Sequence, residues 1–404
     1  MSLSSGSLNR RTFTIAAGSA ALAAAAVRGA VAQEASPVVE EEAPGLPPLP
    51  EGATVVAEGL FNPRFIAIAD DGTMYVTEVG VGGDEPFTFG PPPAAEATPE
   101  VAATPVTDEE TAPPASRGYT GQITQVSPDG TQSVAVSGLA SYSDGVGPHG
   151  IVVVDGLVYF LIGGTAVLAG VEPLEGENGL HVFDPGTGEV TQLAEFNTYE
   201  IENNPDGTDI NPNAFGLAAG RSDGRLTVID AGSNTVFSVD KDTGALQLRA
   251  VFPTIDQFDP EAGWEPRQVV PTDGTYVGTT FYVAFLSEYW PEDAPSVVSV
   301  AGDGDFATFN PVATGLSFVT GLTTGPDGSL YVCQLFDDPE AAPMGSIHRI
   351  VGGVAEPVVQ GLFMPHGIEF DGDGNLYVTT NILVSGPGMP AGQVLRFDGI
   401  AAAS

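Results

Sequence analysis

Short hydrophobic runs rich in β-branched and aromatic residues recur along the chain, each introduced by an Asp-Gly pair. The five complete copies span residues 71–76, 155–160, 223–228, 327–332 and 373–378. A sixth copy, at residues 280–283, lacks the Asp-Gly pair. Because Asp-Gly tolerates the positive φ of tight hairpin turns, the pattern predicts a series of β-hairpins. Repetition of one β unit indicates a radial or linear repeat architecture.

Each unit contains further strand-like segments around its hairpin. An inner strand opens at a glycine phrase such as Pro148-His149-Gly150, with related phrases starting at residues 214, 319 and 365 and diverged ones at 63 and 271. A third strand follows the hairpin, and a fourth ends in a Gly-Leu phrase at residues 138–139, 315–316 and 361–362. Four antiparallel strands in each of six units predict an all-β fold, a six-bladed β-propeller.

The two ends of the repeat region complement each other. The sixth unit stops after its third strand at Asp398, whereas residues 55–60 match the fourth-strand phrase but precede the first unit. We therefore expect the N-terminal strand to complete the last blade, which removes the unpaired edges of an open ring. A linear β-solenoid does not need a displaced strand of this kind.

The N-terminal segment has the composition of an export signal. Arg10 and Arg11 precede an apolar run, and small residues at 30–32 offer a cleavage site, so residues 1–32 are predicted to be a twin-arginine signal peptide. An ordinary secretory signal is the alternative. Residues 33–53 are predicted to be a flexible linker, 54–399 the propeller, and 84–117 a disordered Pro/Ala/Glu-rich loop insertion. The mature protein is thus expected in the periplasm, the cell envelope or the extracellular space.

The composition restricts the possible partners. The chain has 52 acidic and 12 basic residues and a formal net charge of −40, which disfavours nucleic acids and anionic membrane surfaces. The simplest explanation of this charge is solubility outside the cell. No apolar run after the leader is long enough to span a bilayer. Because Cys333 is the single cysteine of the chain, an intrachain disulfide is excluded. Separately, we expect the protein to be a monomer.

The propeller topology predicts which residues meet at one mouth of the central channel. The first set, at the starts of the inner strands, contains Arg64, His149, Phe215, Thr272, Thr320 and His366. The second set, at the ends of the second strands, contains Glu78, Ile162, Asp230, Phe285, Gln334 and Thr380, with Asn381 next. The candidate binding residues are Arg64, Glu78, His149, Asp230, Thr320, His366 and Asn381.

Two interpretations of these candidates remain open. The histidines and carboxylates could ligate a metal or move protons, with Arg64 holding an anion. Alternatively, they only hydrogen-bond to one another and to water. A separate oxygen-rich loop at residues 203–209 could bind Ca²⁺, although such loops are usually turns.

Several of these phrases together resemble the ScyD/ScyE family. The matching stretches are residues 59–64, 75–80, 121–124, 148–150, 203–207, 230–234 and 325–332. The departures are the insertion at 84–117 and the missing Asp-Gly of the fourth unit. The resemblance implies an exported six-bladed propeller and does not define a reaction.

Three functional hypotheses follow. The first is a binding propeller that receives a small molecule or a protein loop at the channel face. The second is a metal-dependent hydrolase similar to the SMP-30 and gluconolactonase family, in which Glu78, Asp230 and Asn381 would imitate that family's ligands for a divalent metal such as Ca²⁺. The third is a quinone-dependent sugar dehydrogenase, which suits an exported propeller but lacks a recognisable cofactor site in the sequence.

Overall fold

The structure is a computed structural model that describes part of the chain. The described residues are 46–88, 115–220, 224–259, 263–286, 295–300, 309–316, 318–338 and 343–401, with no side-chain description for 255–267. The predicted signal peptide, most of the predicted linker and residues 89–114 of the predicted insertion lie outside these ranges.

Fourteen strands lie in the part of the chain before residue 252. They are β1 (Thr54–Leu60), β2 (Pro63–Ile68), β3 (Met74–Glu78), β4 (Glu85–Pro86), β5 (Ser116–Val126), β6 (Gln132–Tyr142), β7 (Pro148–Val154), β8 (Leu157–Ile162), β9 (Gly179–Asp184), β10 (Glu189–Glu195), β11 (Ala214–Ala218), β12 (Arg225–Asp230), β13 (Thr235–Asp240) and β14 (Leu246–Val251). Two short helices, α1 (Ala166–Ala169) and α2 (Asn197–Asn203), belong to loops between these strands.

The strands after residue 252 are short as well. They are β15 (Ile255–Asp259), β16 (Gly263–Arg267), β17 (Pro271–Val277), β18 (Thr280–Phe285), β19 (Pro295–Val300), β20 (Phe309–Thr314), β21 (Val319–Thr324), β22 (Leu330–Gln334), β23 (Met344–Val351), β24 (Val354–Phe363), β25 (Ile368–Phe370), β26 (Leu376–Thr380) and β27 (Gly392–Phe397).

These strands form the six antiparallel sheets of a six-bladed β-propeller, which confirms the predicted fold. The first blade contains β2, β3, β5 and β6, with the short β4 added beside β5, and the next four blades are β7–β10, β11–β14, β17–β20 and β21–β24. The sixth sheet has the order β1-β27-β26-β25. The hairpin β15–β16 forms a separate two-stranded sheet between the third and fourth blades.

The first strand of the chain pairs with the last. In β1, Val55 lies opposite Leu395 of β27, and Leu60 lies opposite Gly392. Ala57 and Leu60 are buried against the side chains of the neighbouring blade, including Ile66 and Val76. The pairing predicted between residues 55–60 and 392–397 is therefore present, and the sixth sheet receives its fourth strand from the opposite end of the chain.

The two ends of the predicted insertion carry regular structure. Glu85 of β4 lies opposite Arg117 of β5, and Pro86 lies opposite Ser116. The guanidinium of Arg117 also forms an ion pair with the Glu85 carboxylate. The two described ends of the segment predicted as disordered thus pair with each other within the first blade.

The hairpin turns have the backbone that the sequence predicts. The glycines of the five Asp-Gly pairs all have positive φ, between 71° and 84°. In the fourth blade, where the pair is missing, β17 and β18 are joined across Gly278, which has a φ of 60°. A single glycine therefore replaces the lost turn signal, because only the residue with positive φ is strictly required.

The repeated glycine of the inner strands lies where neighbouring blades touch. A Cβ placed on Gly216 of the third blade would lie 2.5 Å from the carbonyl oxygen of Thr272 in the fourth. A Cβ on Gly367, beside β25, would lie 2.3 Å from the carbonyl oxygen of Arg64 in the first blade. The Gly367 N–H also donates to that oxygen at 3.0 Å. Glycine is needed here because the backbones approach more closely than any side chain allows.

We predict that Gly367→Ala destabilises the propeller far more than Gly372→Ala. The first substitution places a methyl group against the Arg64 backbone and forces the blades apart, which costs roughly 1–3 kcal/mol or more. The control position, Gly372, has open space around an added Cβ and no positive φ. Denaturant unfolding of both variants measures the difference. Equal unfolding free energies for the two variants would contradict the close contact between the first and last blades.

Candidate functional site

A small cavity lies where the inner strands begin, and it contains much of the first predicted set. Its polar lining residues are Arg64, Thr272, Thr320 and His366, and its apolar lining residues are Phe215, Ala231, Val270, Leu286, Leu335 and Ile382. Within the cavity, the volume that the centre of a water molecule can occupy is about 10 Å³. This leaves room for about one ordered water. His149 adjoins this cavity because its ring packs on Phe215, with 4.3 Å between ring centroids.

Arg64 is the charged group at this cavity. Its side chain is 1% exposed, and its guanidinium donates to the carbonyl oxygens of Gly145 and Ile382, both at 2.8 Å. Burial lowers the pKa of Arg64 to about 9, and the nearby Asp144 carboxylate opposes this shift. The guanidinium therefore remains charged at neutral pH, and its buried Nε has no hydrogen-bond partner.

Two neutral imidazoles stand beside this guanidinium. His149 and His366 are buried, and neither ring nitrogen of either residue has a hydrogen-bond partner. The His366 ring meets Phe65 edge-on at a centroid distance of 4.9 Å. Burial, reinforced by the charge of Arg64, lowers the pKa of both histidines well below the ordinary value. Both are therefore neutral at pH 7 and can each donate one hydrogen bond and accept another.

Sequence analysis missed two polar residues at this mouth. Asn213 is 1% exposed, and neither its Oδ1 nor its Nδ2 has a hydrogen-bond partner. A Cβ on Gly163 would lie 2.4 Å from Asn213 Oδ1 and 2.8 Å from His149 Cδ2, so the glycine allows these two side chains to lie side by side. Asp144 has an unpartnered buried Oδ1, and burial raises its pKa to about 6.

A positional signal for these two residues was present in the sequence. Asn213 immediately precedes the aligned phrase that opens at Ala214, and Asp144 lies in the loop that leads to Pro148. Every segment that enters an inner strand reaches the same mouth of the channel. Polar residues in these entry segments were therefore candidates in addition to the strand starts themselves.

The second predicted set does not line the cavity. Glu78 accepts hydrogen bonds from Phe61 N, Gln122 Nε2 and Thr124 Oγ1 at 2.6, 2.9 and 2.5 Å. Burial raises its pKa, and the hydrogen bonds oppose this. The cavity is instead lined by the residue after the predicted position, as at Ala231, Leu286 and Leu335. The predicted register at the ends of the second strands is thus displaced by one residue, which turns the side chain away from the channel.

Asp230, Asn381 and Thr320 also have local partners. Asp230 Oδ1 accepts from the backbone N–H groups of Asn213, Gly232 and Ser233, and burial raises its pKa to about 6. Asn381 Nδ2 donates to the carbonyl oxygen of Ala391 at 2.9 Å. Thr320 lines the cavity, and its hydroxyl donates to the carbonyl oxygen of His366 at 3.2 Å.

The hydrogen bonds of Glu78, Asp230 and Asn381 occupy polar atoms of the predicted metal ligands, and the metal site itself stays a prediction. Within the described ranges, no three His, Cys, Asp or Glu side chains are grouped so that they could hold a metal ion. Glu78 and Asp230 use carboxylate oxygens to hold loops, and Asn381 points its amide nitrogen at a carbonyl. The geometry therefore gives no support for a shared ion bound by Glu78, Asp230 and Asn381.

Two further buried carboxyl groups lie on the inner strands. Asp273 replaces the repeated glycine in the fourth blade and accepts from the N–H groups of Gly274 and of Leu322 in the fifth blade, both at 2.8 Å. Burial raises its pKa to about 8, and the charge of Glu369 adds to the shift. Burial raises the pKa of Glu369 to about 7. Asp273 thus bridges two blades in a largely protonated state at neutral pH.

Comparison with known proteins supports the fold and assigns neither a family nor a function. No family model matches the sequence, and no curated protein matches it. A gluconolactonase from Xanthomonas campestris is 12% identical, with a TM-score of 0.50 and coverage of 85% of this chain and 88% of that chain. The similarity supports the six-bladed β-propeller fold, and the resemblance to the ScyD/ScyE family stays a prediction.

Two other solved structures are similar at the same level. One is a protein of unknown function from Bacteroides thetaiotaomicron, 11% identical, with a TM-score of 0.48 and coverage of 85% and 75% of the two chains. The other is a catalytically inactive virginiamycin B lyase from Staphylococcus aureus, 11% identical, with a TM-score of 0.46 and coverage of 85% and 97%.

Among the residues described, no helix is both long enough and apolar enough to cross a membrane.

We predict that Asp273 makes the propeller less stable as the pH rises. The folded-state pKa of about 8 lies above the ordinary value of 3.8, so the folded state holds this proton more tightly than the unfolded state. The stabilisation is complete below the ordinary value and is lost progressively as the pH approaches 8. The free energy of unfolding of the wild type should therefore fall between pH 5 and 8, and the fall should be smaller in Asp273→Asn.

The wild type and Asp273→Asn are compared by the slope of unfolding free energy against pH. The absolute free energies are not comparable, because the substitution also changes one of the two hydrogen bonds that Asp273 accepts. Asp373→Asn, at an exposed turn position, is the control and should keep the wild-type slope. An unchanged slope in Asp273→Asn would mean that this carboxyl group is ionised in the folded protein.

Proposed function

We propose that this protein is an exported propeller of the ScyD/ScyE type that binds a small polar molecule at the channel mouth. One observation carries the proposal: the residues around this mouth contribute 8 of the 17 buried polar side-chain atoms that have no hydrogen-bond partner among the described residues. These eight atoms are Arg64 Nε, Asp144 Oδ1, both ring nitrogens of His149 and of His366, and both polar atoms of the Asn213 carboxamide. These residues come from loops and inner strands of the first, second, third and sixth blades.

Unpartnered buried polar groups need an explanation, because each costs about 1–3 kcal/mol when it has no partner. The cavity itself has room for about one water. We infer that water occupies it in the free protein and that a ligand lies across the mouth and supplies the missing partners. A buried guanidinium, two neutral imidazoles and a carboxamide together favour a ligand with carbonyl, hydroxyl or carboxylate oxygens.

The lining of the cavity supports one of the two ligand classes expected from the sequence. The lining combines apolar side chains such as Phe215 and Ile382 with a few polar groups, as small-molecule sites do. We therefore favour a small molecule over a protein partner, and we propose that the exported chain acts as a monomer.

The enzymatic alternatives rank below binding. The metal-dependent hydrolase hypothesis relied on Glu78, Asp230 and Asn381, whose polar atoms hold neighbouring loops. No feature of the described residues favours the quinone-dependent dehydrogenase. Both hypotheses remain testable by turnover assays on the same purified protein.

We predict that the exported protein carries or binds a small oxygen-rich molecule. Native mass spectrometry of the purified protein should show a bound species or, after a screen of sugars, sugar acids and small carboxylates, a ligand-dependent rise in melting temperature. His366→Phe removes both unpartnered ring nitrogens and should weaken binding by roughly tenfold, the effect of about one lost hydrogen bond.

The matched control is His348→Phe, because His348 lies on the third strand of the fifth blade, away from the cavity. It should leave the affinity unchanged. Equal affinity in the wild type and His366→Phe, or rapid turnover of a lactone or sugar without stable binding, would overturn the proposal.

We also propose that the twin-arginine route exports the protein. The support is the Arg10-Arg11 pair before an apolar run. Replacing both residues with Lys should retain the unprocessed protein in the cytoplasm, whereas Arg28→Lys should be exported normally. Cell fractionation and immunoblotting measure the outcome. Normal export of the double Lys variant would instead indicate an ordinary secretory signal.

A further inference from the structure

A buried carboxylate without a partner lies outside the channel, at helix α2. Glu200 is 2% exposed, and neither Oε1 nor Oε2 has a hydrogen-bond partner. Burial raises the pKa of Glu200, and the backbone N–H of Asn211 opposes this rise, but it does not form a hydrogen bond of ordinary geometry with the carboxylate. A buried carboxyl group without compensation is costly, so it must either hold a proton or face a cation.

A third unpartnered oxygen lies one helical turn further on. Asn204 caps α2 with a left-handed backbone, and its N–H donates to the carbonyl oxygen of Glu200 at 2.8 Å, which brings the backbones of the two residues together. Asn204 Nδ2 donates to the carbonyl oxygen of Thr208 at 2.9 Å, and this fixes the carboxamide. Its Oδ1 is buried without a partner. Three unsatisfied oxygen atoms thus belong to residues Glu200 and Asn204 at the end of the helix.

The surroundings of Glu200 are negative. The charges of Asp230 and Asp206 both raise its pKa, and no basic group acts on it. Asp206 Oδ2 is held by Asn234 Nδ2 at 2.8 Å, so the loop that carries Asp206 is tied to the third blade. The carbonyl end of α2 adds a partial negative charge. Each of these features favours a cation.

We propose that the C-terminal end of α2 binds one Ca²⁺ weakly, with Glu200 and Asn204 as its side-chain ligands. Backbone carbonyls and water would complete the shell, since Ca²⁺ accepts six to eight oxygen ligands in irregular geometry. Asp206 and Asp230 contribute charge from outside the shell. The proposed site uses a single carboxylate. This agrees with the finding that no three His, Cys, Asp or Glu side chains of the described residues are grouped together. A site of this kind has about millimolar affinity, as in extracellular modules.

This proposal differs from the metal site predicted at Glu78, Asp230 and Asn381, and it extends the calcium loop predicted at residues 203–209, to which Asn204 belongs. The ion would lie between the second and third blades, away from Glu78 and Asn381, and its main ligand precedes the oxygen-rich loop at 203–209. Its role would be to join α2 to the segment that leads into β11. It does not depend on ligand binding at the channel mouth.

The competing explanation is a Glu200 that simply holds a proton, and calcium-dependent stability separates the two. Melting temperatures of the full exported chain are measured in chelator and in about 10 mM CaCl₂, where a millimolar site should give a rise of roughly 2–4 °C. Glu200→Gln, which resembles the protonated acid, should lose this rise. Glu202→Gln, exposed on the same helix, should retain it.

A second variant keeps the test decisive if Glu200→Gln folds poorly. Asn204→Asp retains a residue that tolerates the left-handed backbone at φ 37° and adds a carboxylate ligand. It should shift the calcium titration to lower concentrations by roughly tenfold, because ligand charge sets the affinity of such sites. The absence of any calcium-dependent rise in the wild type, or an undiminished rise in Glu200→Gln, overturns the proposal.

Discussion

The close approach of neighbouring inner strands at a repeated glycine is the constraint on which the rest of this structure depends. At Gly216 and Gly367 the next blade lies so near that an added Cβ would overlap its backbone. The Gly367 N–H then reaches the Arg64 carbonyl oxygen, so the sixth blade is hydrogen-bonded to the first. The pairing of β1 with β27 acts at the outer edge of the same blade. Contacts at the inner and outer edges together link the two ends of the chain.

The same constraint brings the polar residues together. When the inner strands converge, the first residue of each strand meets its counterparts around one narrow cavity, and Arg64, Thr320 and His366 become neighbours although they are far apart in the sequence. Burial then keeps the imidazoles neutral, while the guanidinium keeps its charge. The mouth of the channel is therefore polar, buried and short of hydrogen-bond partners within the protein, which are the properties that favour a ligand-binding site.

The sequence predicts the fold well because the fold is encoded locally and repeatedly. Each Asp-Gly pair specifies a turn by its backbone preference, and the inner-strand glycine marks a contact that only glycine permits. The displaced fourth-strand phrase at residues 55–60 predicts the pairing of β1 with β27. The fourth blade was recognisable despite its missing pair from the strand at residues 280–283, and in the structure Gly278 supplies the positive φ of its turn.

The site was less predictable because it depends on loops and on register. A one-residue difference at the strand ends turned Glu78 and Asp230 from the channel into the blades, where backbone N–H groups hold them. Glu200 carries no repeat signal, and Asn213 is marked only by its position before an aligned phrase, so their importance appears when their polar atoms are found buried without partners. A pattern of strands can thus specify where a mouth forms, whereas the side chains that complete it depend on tertiary packing.

The most direct test of the linked ring is hydrogen–deuterium exchange of the segments that join its two ends. If the first and last blades are held together as described, the amide of residue 367 and those amides of residues 54–60 and 392–397 that are hydrogen-bonded within the sixth sheet should exchange only through global unfolding, as slowly as the central strands β12 and β13 of the third blade. Fast exchange at residue 367 and at the hydrogen-bonded amides of residues 54–60, with β12 and β13 still protected, would contradict the account, because it would mean that the ring opens between the sixth and first blades.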